Sequence, residues 1–335
     1  MPIQSHHHVV ANVLTWLTAG EPVWLCTITS TWGSSPTPAG TLMAYSTKYG
    51  VAGTLSGGCI EEDLLEKMQQ GTLLSDQNHQ QYPIEMVYGG SQEEQAKFIL
   101  PCGGQLHVLV EYLQPTNTSI EHFTLLDSYL TKRELIGRKV MASSGEMSLL
   151  ETNIQRGITR VASNDDHEVY IEHIMGPAYQ MLLIGASEVA RCVAQLAQSL
   201  DFDVSVWDHR EEFIRNWSVD NVSIYRGSPE KLINEKFADE NNAIIALAHD
   251  PRVDDFALVD ALTTKAFYIG AIGSKNTCRK RNERLMNYVE DVASLEKMHS
   301  PVGLDIGSKT PFEIAISVLA HVIQERRCLE QSLCK

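Results

Sequence analysis

Apolar residues recur at helical spacing over residues 9–19 (Val10, Val13, Leu14, Leu17), and Gly20 and Pro22 close that segment. Residues 23–30 then run apolar and β-branched, which predicts a strand, and 41–46 and 51–55 predict two more. The spacing over 60–70 predicts a helix, with Gly71 as its stop signal. Short apolar pieces at 83–87 and 106–112 read as strands, the second closing a first sheet, and 120–132 reads as a helix. Strand-like pieces at 138–142, 147–150 and 168–174 carry no legible chemistry and complete a first domain, which ends at Gly176-Pro177.

Beyond that boundary the pattern changes. Continuous apolar runs at 180–184, 203–207, 243–248 and 266–269 read as buried parallel strands, with a periodic helix to Leu200 between the first two. A basic helix is expected over 276–288, carrying Arg279, Lys280, Arg281 and Arg284 after Lys275. It reads as a solvated face or as a contact for an acidic partner. Thr310-Pro311-Phe312-Glu313 opens a last helix with a capping box. Its apolar face (Ile314, Ile316, Val318, Leu319, Val322, Ile323) should meet the sheet, and 325–335 should fray. The fold class is therefore α/β: a mixed α/β domain over 1–177, then a Rossmann-like doubly wound parallel-sheet domain over 178–335.

Composition narrows the function. A net charge of −15 over 335 residues argues against a nucleic-acid partner and disfavours an anionic membrane surface. No apolar run approaches the roughly 20 residues of a membrane-spanning helix. Residues 1–8 lack the order of a signal peptide, and His6-His7-His8 reads as a polar terminus rather than a metal site. Seven cysteines cannot all pair and form no C-x-x-C unit, so a cytoplasmic protein with reduced thiols and no metal centre is expected.

The candidate chemistry centres on Gly53-Thr54-Leu55-Ser56-Gly57-Gly58-Cys59-Ile60-Glu61. The glycines bring a bare backbone to a cysteine at a helix start, where free N–H groups and the helix dipole lower a thiol's pKa and attract anions. Glu61 suits the first turn but opposes an incoming anion. A second cysteine, Cys102, lies in Pro101-Cys102-Gly103-Gly104. Either cysteine alone reads as a small buried hydrophobe; two in glycine turns point to a shared site. Ser34 and Ser35, in the small-residue loop 33–40, read as a turn or as an oxyanion cradle beside Cys59. In the second half Gly185-Ala186-Ser187, a helix, a strand and Asp208 form the opening of a dinucleotide-binding unit. Asp208 stands at the spacing of a ribose-binding carboxylate, yet Ser187 occupies the place of the second glycine, which weighs against a pyrophosphate. The carboxyl-end rule for parallel sheets puts Gly185, Asp208, His249, Asp250, Gly273 and Ser274 along one crevice. His249 reads equally as a site residue or as a cap paired with Asp250.

These motifs resemble the XdhC/CoxI family: Gly33-Ser34-Ser35-Pro36, residues 53–61, Pro101 to Gly104, and 268–274 with 300–313. The resemblance implies a maturation factor rather than an enzyme with its own reaction, and no catalytic residue is read. Such factors bind the molybdenum cofactor, assist its sulfuration by a cysteine desulfurase and deliver it to a xanthine dehydrogenase-like molybdenum hydroxylase. The family's two motif cysteines fall on Cys59 and Cys102, and the resemblance also implies a homodimer. Four positions depart from the family pattern: Thr37 stands for Arg, Ser187-Glu188 for Gly-His, and His321 for Glu. They suggest a divergent paralogue. The competing readings are an NAD(P)-dependent oxidoreductase, from Gly185 and Asp208, and a nucleotide-binding scaffold without turnover.

Overall fold

The first long apolar run, Val23–Trp32, becomes strand β1 at the middle of a five-stranded antiparallel sheet. The computed structural model describes residues 6–32, 37–55, 58–73, 83–89, 105–152, 159–163, 169–248 and 250–332. On one side β1 is followed by β2 (Leu42–Ser46) and β3 (Gly50–Gly53); on the other β4 (Ile84–Tyr88) lies outside β5 (Gln105–Leu113). The run lacks polar alternation because both faces are covered. Val23 and Leu25 pack under helices α1 (His6–Thr18) and α3 (Asn117–Thr131). Trp24, Cys26 and Ile28 face the other way, with Ile60, Leu64 and Met68 of helix α2 (Cys59–Gln69).

The middle stretch forms a second antiparallel sheet of β6 (Ile136–Met141), β7 (Met147–Glu151), β8 (Thr159–Ser163) and β9 (Val169–Met175), in the order β7-β6-β9-β8. Where the sequence shows no chemistry, Arg138 of β6 is buried and forks onto Glu111 of β5 through bonds of 2.9 and 2.7 Å. Its Nε donates to His122 Nε2 at 3.2 Å. Burial, and then the Arg138 charge, push His122 down to about 3, so this imidazole is a neutral acceptor.

The contacts divide the chain after Pro177, and a second unit begins at Ala178. Its six strands are β10 (Tyr179–Ile184), β11 (Phe202–Trp207), β12 (Ser223–Tyr225), β13 (Asn242–Ala246), β14 (Tyr268–Ala271) and β15 (Met298–His299). They pair in parallel in the order β12-β11-β10-β13-β14-β15, which puts the topological switch point between β10 and β13. Helices α4 (Glu188–Gln198), α5 (Glu211–Arg215) and α9 (Pro311–Ser332) supply one apolar layer. Helices α6 (Pro229–Lys236), α7 (Pro251–Thr263) and α8 (Lys275–Leu285) supply the other. This is the Rossmann-like architecture the apolar runs predict.

Three local expectations change. Helix α9 continues to Ser332, past the expected fraying point. Ala315, Val318, Leu319 and Val322 form its buried stripe, leaving Ile316 54% exposed. The basic helix is not a uniformly solvated face. Arg281 is buried, donates to the Ile272 carbonyl at 3.0 Å and faces Asp254 and Asp255 at 3.5 Å, while Arg284 forks onto Asp255.

Glu111→Ala would strand the Arg138 guanidinium and is expected to cost about 3–5 kcal/mol, read from urea unfolding followed by tryptophan fluorescence. The double variant Glu111→Leu/Arg138→Met should recover most of that loss. An unchanged midpoint in Glu111→Ala would contradict the role given to this pair.

Candidate functional site

The glycine turn before α2 is clamped from both sides. Gly53 has φ +80, and a Cβ there would lie 2.4 Å from the Leu42 carbonyl oxygen and 2.8 Å from Val9 Cγ2, so only glycine fits. Next, the carboxylate of Glu61 reaches back over the turn: it accepts from the Thr54 hydroxyl and from the Leu55 N–H, the latter at 2.6 Å. On the far side the Thr37 hydroxyl donates to the Leu55 carbonyl. Leu55 itself is buried in the core below α2. Both its backbone groups and its side chain are therefore fixed. Gly58 is extended at the N-cap, no described side chain caps the helix, and Cys59 is the first helical residue. Asp63 in the next turn accepts from Lys67 at 2.6 Å and from the Tyr88 hydroxyl at 2.8 Å.

The side chain of Cys59 lies outside the described residues, as do Ser34, Ser35, Gly57, Cys102, Gly103 and His249. Of the N-terminal candidates the structure thus places Gly58, Glu61 and the backbone of Cys59 around one turn. Elsewhere in this unit Cys26 is buried, and desolvation followed by Glu111 pushes its thiol far above the usual range, so it is inert.

Five of the six candidates at the carboxyl ends of the parallel strands lie among the described residues. Gly185, with φ +100, lies against β13's exit: a Cβ would come within 2.4 Å of Ala248 Cα. Ser187 stands at the second-glycine position and caps α4, its hydroxyl accepting from Ala190 N–H at 3.2 Å. Asp208 is buried and already carries four bonds: Ala186 N–H at 2.7 Å, Arg210 N–H at 2.8 Å, and the Arg210 side chain at 3.0 and 2.7 Å. A ribose would have to displace Arg210. Burial works to raise the Asp208 pKa, but the bonds from Arg210 and from Ala186 N–H together hold it below the usual carboxylate range. Asp250 caps α7 and forks onto Arg252; Ser274 caps α8, and Gly273 precedes it. Every described member of this set closes a turn or a helix end.

Two family models match this chain. Residues 181–322 match the XdhC Rossmann domain, and residues 16–83 match the XdhC and CoxI family. The chain belongs to the XdhC/CoxI family. Over 92% of its length it is 26% identical to a Bacillus subtilis (strain 168) protein named as a probable xanthine dehydrogenase subunit, covering 94% of that protein. It is 24% identical to the molybdenum cofactor insertion chaperone PaoD of Escherichia coli (strain K12), over 98% of this chain and 92% of that one. A solved structure described as a xanthine dehydrogenase from Bacillus halodurans shares the fold, with a TM-score of 0.73, 24% identity and coverage of 95% and 96% of the two chains.

Two features of this XdhC/CoxI chain escape sequence reasoning. Asp254 is buried one turn into α7, takes the Ala248 N–H at 3.1 Å and, chiefly through burial, is pushed up to about 6. Its partner Arg281 lies 27 residues on, so no local spacing reveals it. A cleft of about 480 Å³ also opens beside the end of β11, lined by Trp207, His209, Ser228, Glu230, Arg252 and Phe256. Its walls come from β11 and the loop after it, α6 and α7, and only the fold assembles them.

Asp208→Asn is expected to lower the stability of the C-terminal unit by about 2–3 kcal/mol at neutral pH, measured by chemical denaturation. Because the folded pKa of Asp208 is depressed, its contribution is complete above the unfolded value of roughly 3.9 and fades as pH falls through the folded value. The wild type should thus lose more stability than Asp208→Asn on acidification from pH 5 toward pH 2. Parallel acid limbs would contradict the assignment.

Proposed function

We propose that this protein is a chaperone that holds the molybdenum cofactor as cargo and passes it to a xanthine dehydrogenase-type molybdenum hydroxylase. The observation that carries the reading is the match to the insertion chaperone PaoD across nearly the whole of both chains. The turn geometry supports it. Cys59 opens α2, at a helix N-terminus where a thiolate is favoured, and soft thiolate suits a molybdenum–dithiolene centre. Glu61 already takes the Leu55 N–H, so an anionic group of the cargo would be left the later amides of the Gly57-Gly58-Cys59 run. In this proposal Cys102 with Gly103, and the Ser34-Ser35 loop, complete the N-terminal cradle. Protection of the cofactor, its sulfuration by a cysteine desulfurase, a cytoplasmic location and a homodimeric state belong to the same proposal.

The cleft beside Trp207 supports a second reading, a nucleotide-binding scaffold without turnover. Hydride transfer with NAD(P) is the weaker alternative, since Asp208 has no acceptor capacity left for a ribose.

The test is retention of cofactor on the purified protein, read as molybdenum and as pterin fluorescence. Cys59→Ser/Cys102→Ser should retain roughly tenfold less than wild type. Glu61→Ala, which frees the turn, should show a smaller loss of the same sign. Equal retention by wild type and the double cysteine variant would overturn the proposal. Calorimetric titration with NAD and NADP at millimolar concentration should give no binding heat, whereas cytidine nucleotides test the scaffold reading.

A further inference from the structure

Three ligand-type side chains of the C-terminal unit converge in a cluster to which the turn chemistry above gives no role. His299 ends β15, with Gly270 of β14 as its register partner. His321 and Glu325 lie one turn apart on α9, on the same face. One donor atom from each falls within 4.8 Å of the other two, and all three residues are half-buried, open enough for an ion to enter. The two imidazoles meet edge to face with centroids 4.5 Å apart.

Tyr268 organises the pair. Its ring stacks on His299 at 4.6 Å and 9°, and its hydroxyl is 3.1 Å from Nδ1 of His321. Engagement of Nδ1 leaves Nε2 as the donor atom of His321, which is how the far nitrogen of a metal-bound histidine is commonly fixed. Room for the Tyr268 ring comes from Gly270, where a Cβ would lie 2.8 Å from Tyr268 Cε1 and 2.6 Å from Val302 Cγ2. The spacing also fits an ion better than a hydrogen bond. His321 Nε2 and Glu325 Oε1 stand 3.7 Å apart, too far for a good bond between them. Two donors sharing a tetrahedral ion at about 2.1 Å would stand about 3.4 Å apart, so this pair needs only a small closure, while donors of the cluster that stand as far as 4.8 Å apart must move further.

We propose that His299, His321 and Glu325 bind one divalent transition-metal ion of the zinc class, leaving a coordination position open for water or a ligand. Two imidazoles and one carboxylate form a borderline donor set that suits Zn²⁺ or Co²⁺ and discriminates against Mg²⁺ and Ca²⁺. The site depends on neither cysteine and stands whether or not the cargo reading holds.

The full chain, stripped with chelator and reloaded, provides the test. With Co²⁺ the wild type should hold one more ion per chain than Glu325→Gln, and the visible d–d band of that ion should be missing from both Glu325→Gln and His299→Gln. Added Zn²⁺ should raise the unfolding temperature of the wild type and leave that of Glu325→Gln where it was. Ions taken up by the other histidines or by cysteines are common to all three proteins and cancel in the difference. Glu325 is partly exposed, so its variant remains informative should His299→Gln fold poorly. Identical stoichiometry and spectra in wild type and Glu325→Gln would overturn the proposal.

Discussion

In both units a carboxylate of the chain takes an amide that a glycine turn would otherwise offer to an anion. Glu61 holds the Leu55 N–H, and Asp208 holds the Ala186 N–H. The two acids sit differently, one on the helix that follows its turn and one at the end of the next strand, yet the physics is the same. Amides at a strand-to-helix turn have no secondary-structure partner and carry partial positive charge. Burying a carboxylate against them offsets the cost of dehydrating both. The turn gains rigidity and loses part of its capacity as a phosphate cradle.

That exchange explains how the second unit keeps the Rossmann architecture while its fingerprint is altered. Ser187 removes the bare backbone that a pyrophosphate needs, and the same hydroxyl becomes a helix cap. Gly185 survives because Ala248 leaves no space for a side chain, a packing reason independent of any ligand. Architecture and ligand chemistry have separated here, and the chemistry must be argued from the residues now present. In the first unit the corresponding turn leads to a cysteine, and that thiol is what distinguishes it from an ordinary anion-binding turn.

Much of the fold was legible in the sequence. Runs such as 23–30, 180–184 and 243–248 are long and uninterrupted because both faces of their sheets are covered. The helix after the Gly-Gly-Cys turn was legible from its spacing and from the stop signal at Gly71. The edge strands β12 and β15, three and two residues long, escaped because so few residues carry no periodicity. Ile316 misled because helical spacing alone does not say which of two adjacent stripes meets the sheet. The fate of charge was the least legible. Arg138 with Glu111, Arg281 with Asp254 and His299 with His321 are pairs separated by 22 to 27 residues, and such meetings are decided by topology. The candidate turn was visible as a glycine-cysteine motif, but the clamp by Thr37 and Glu61 was not, since neither residue type specifies its partner.

Leu55 and Ile60 are both buried in the core beneath α2. Consecutive Cα atoms are about 3.8 Å apart, so the backbone of Cys59 is tethered to an anchored neighbour by a single peptide unit. That backbone position is held in place by its neighbours on both sides. Any group that approaches this turn therefore meets a backbone already set between two buried anchors.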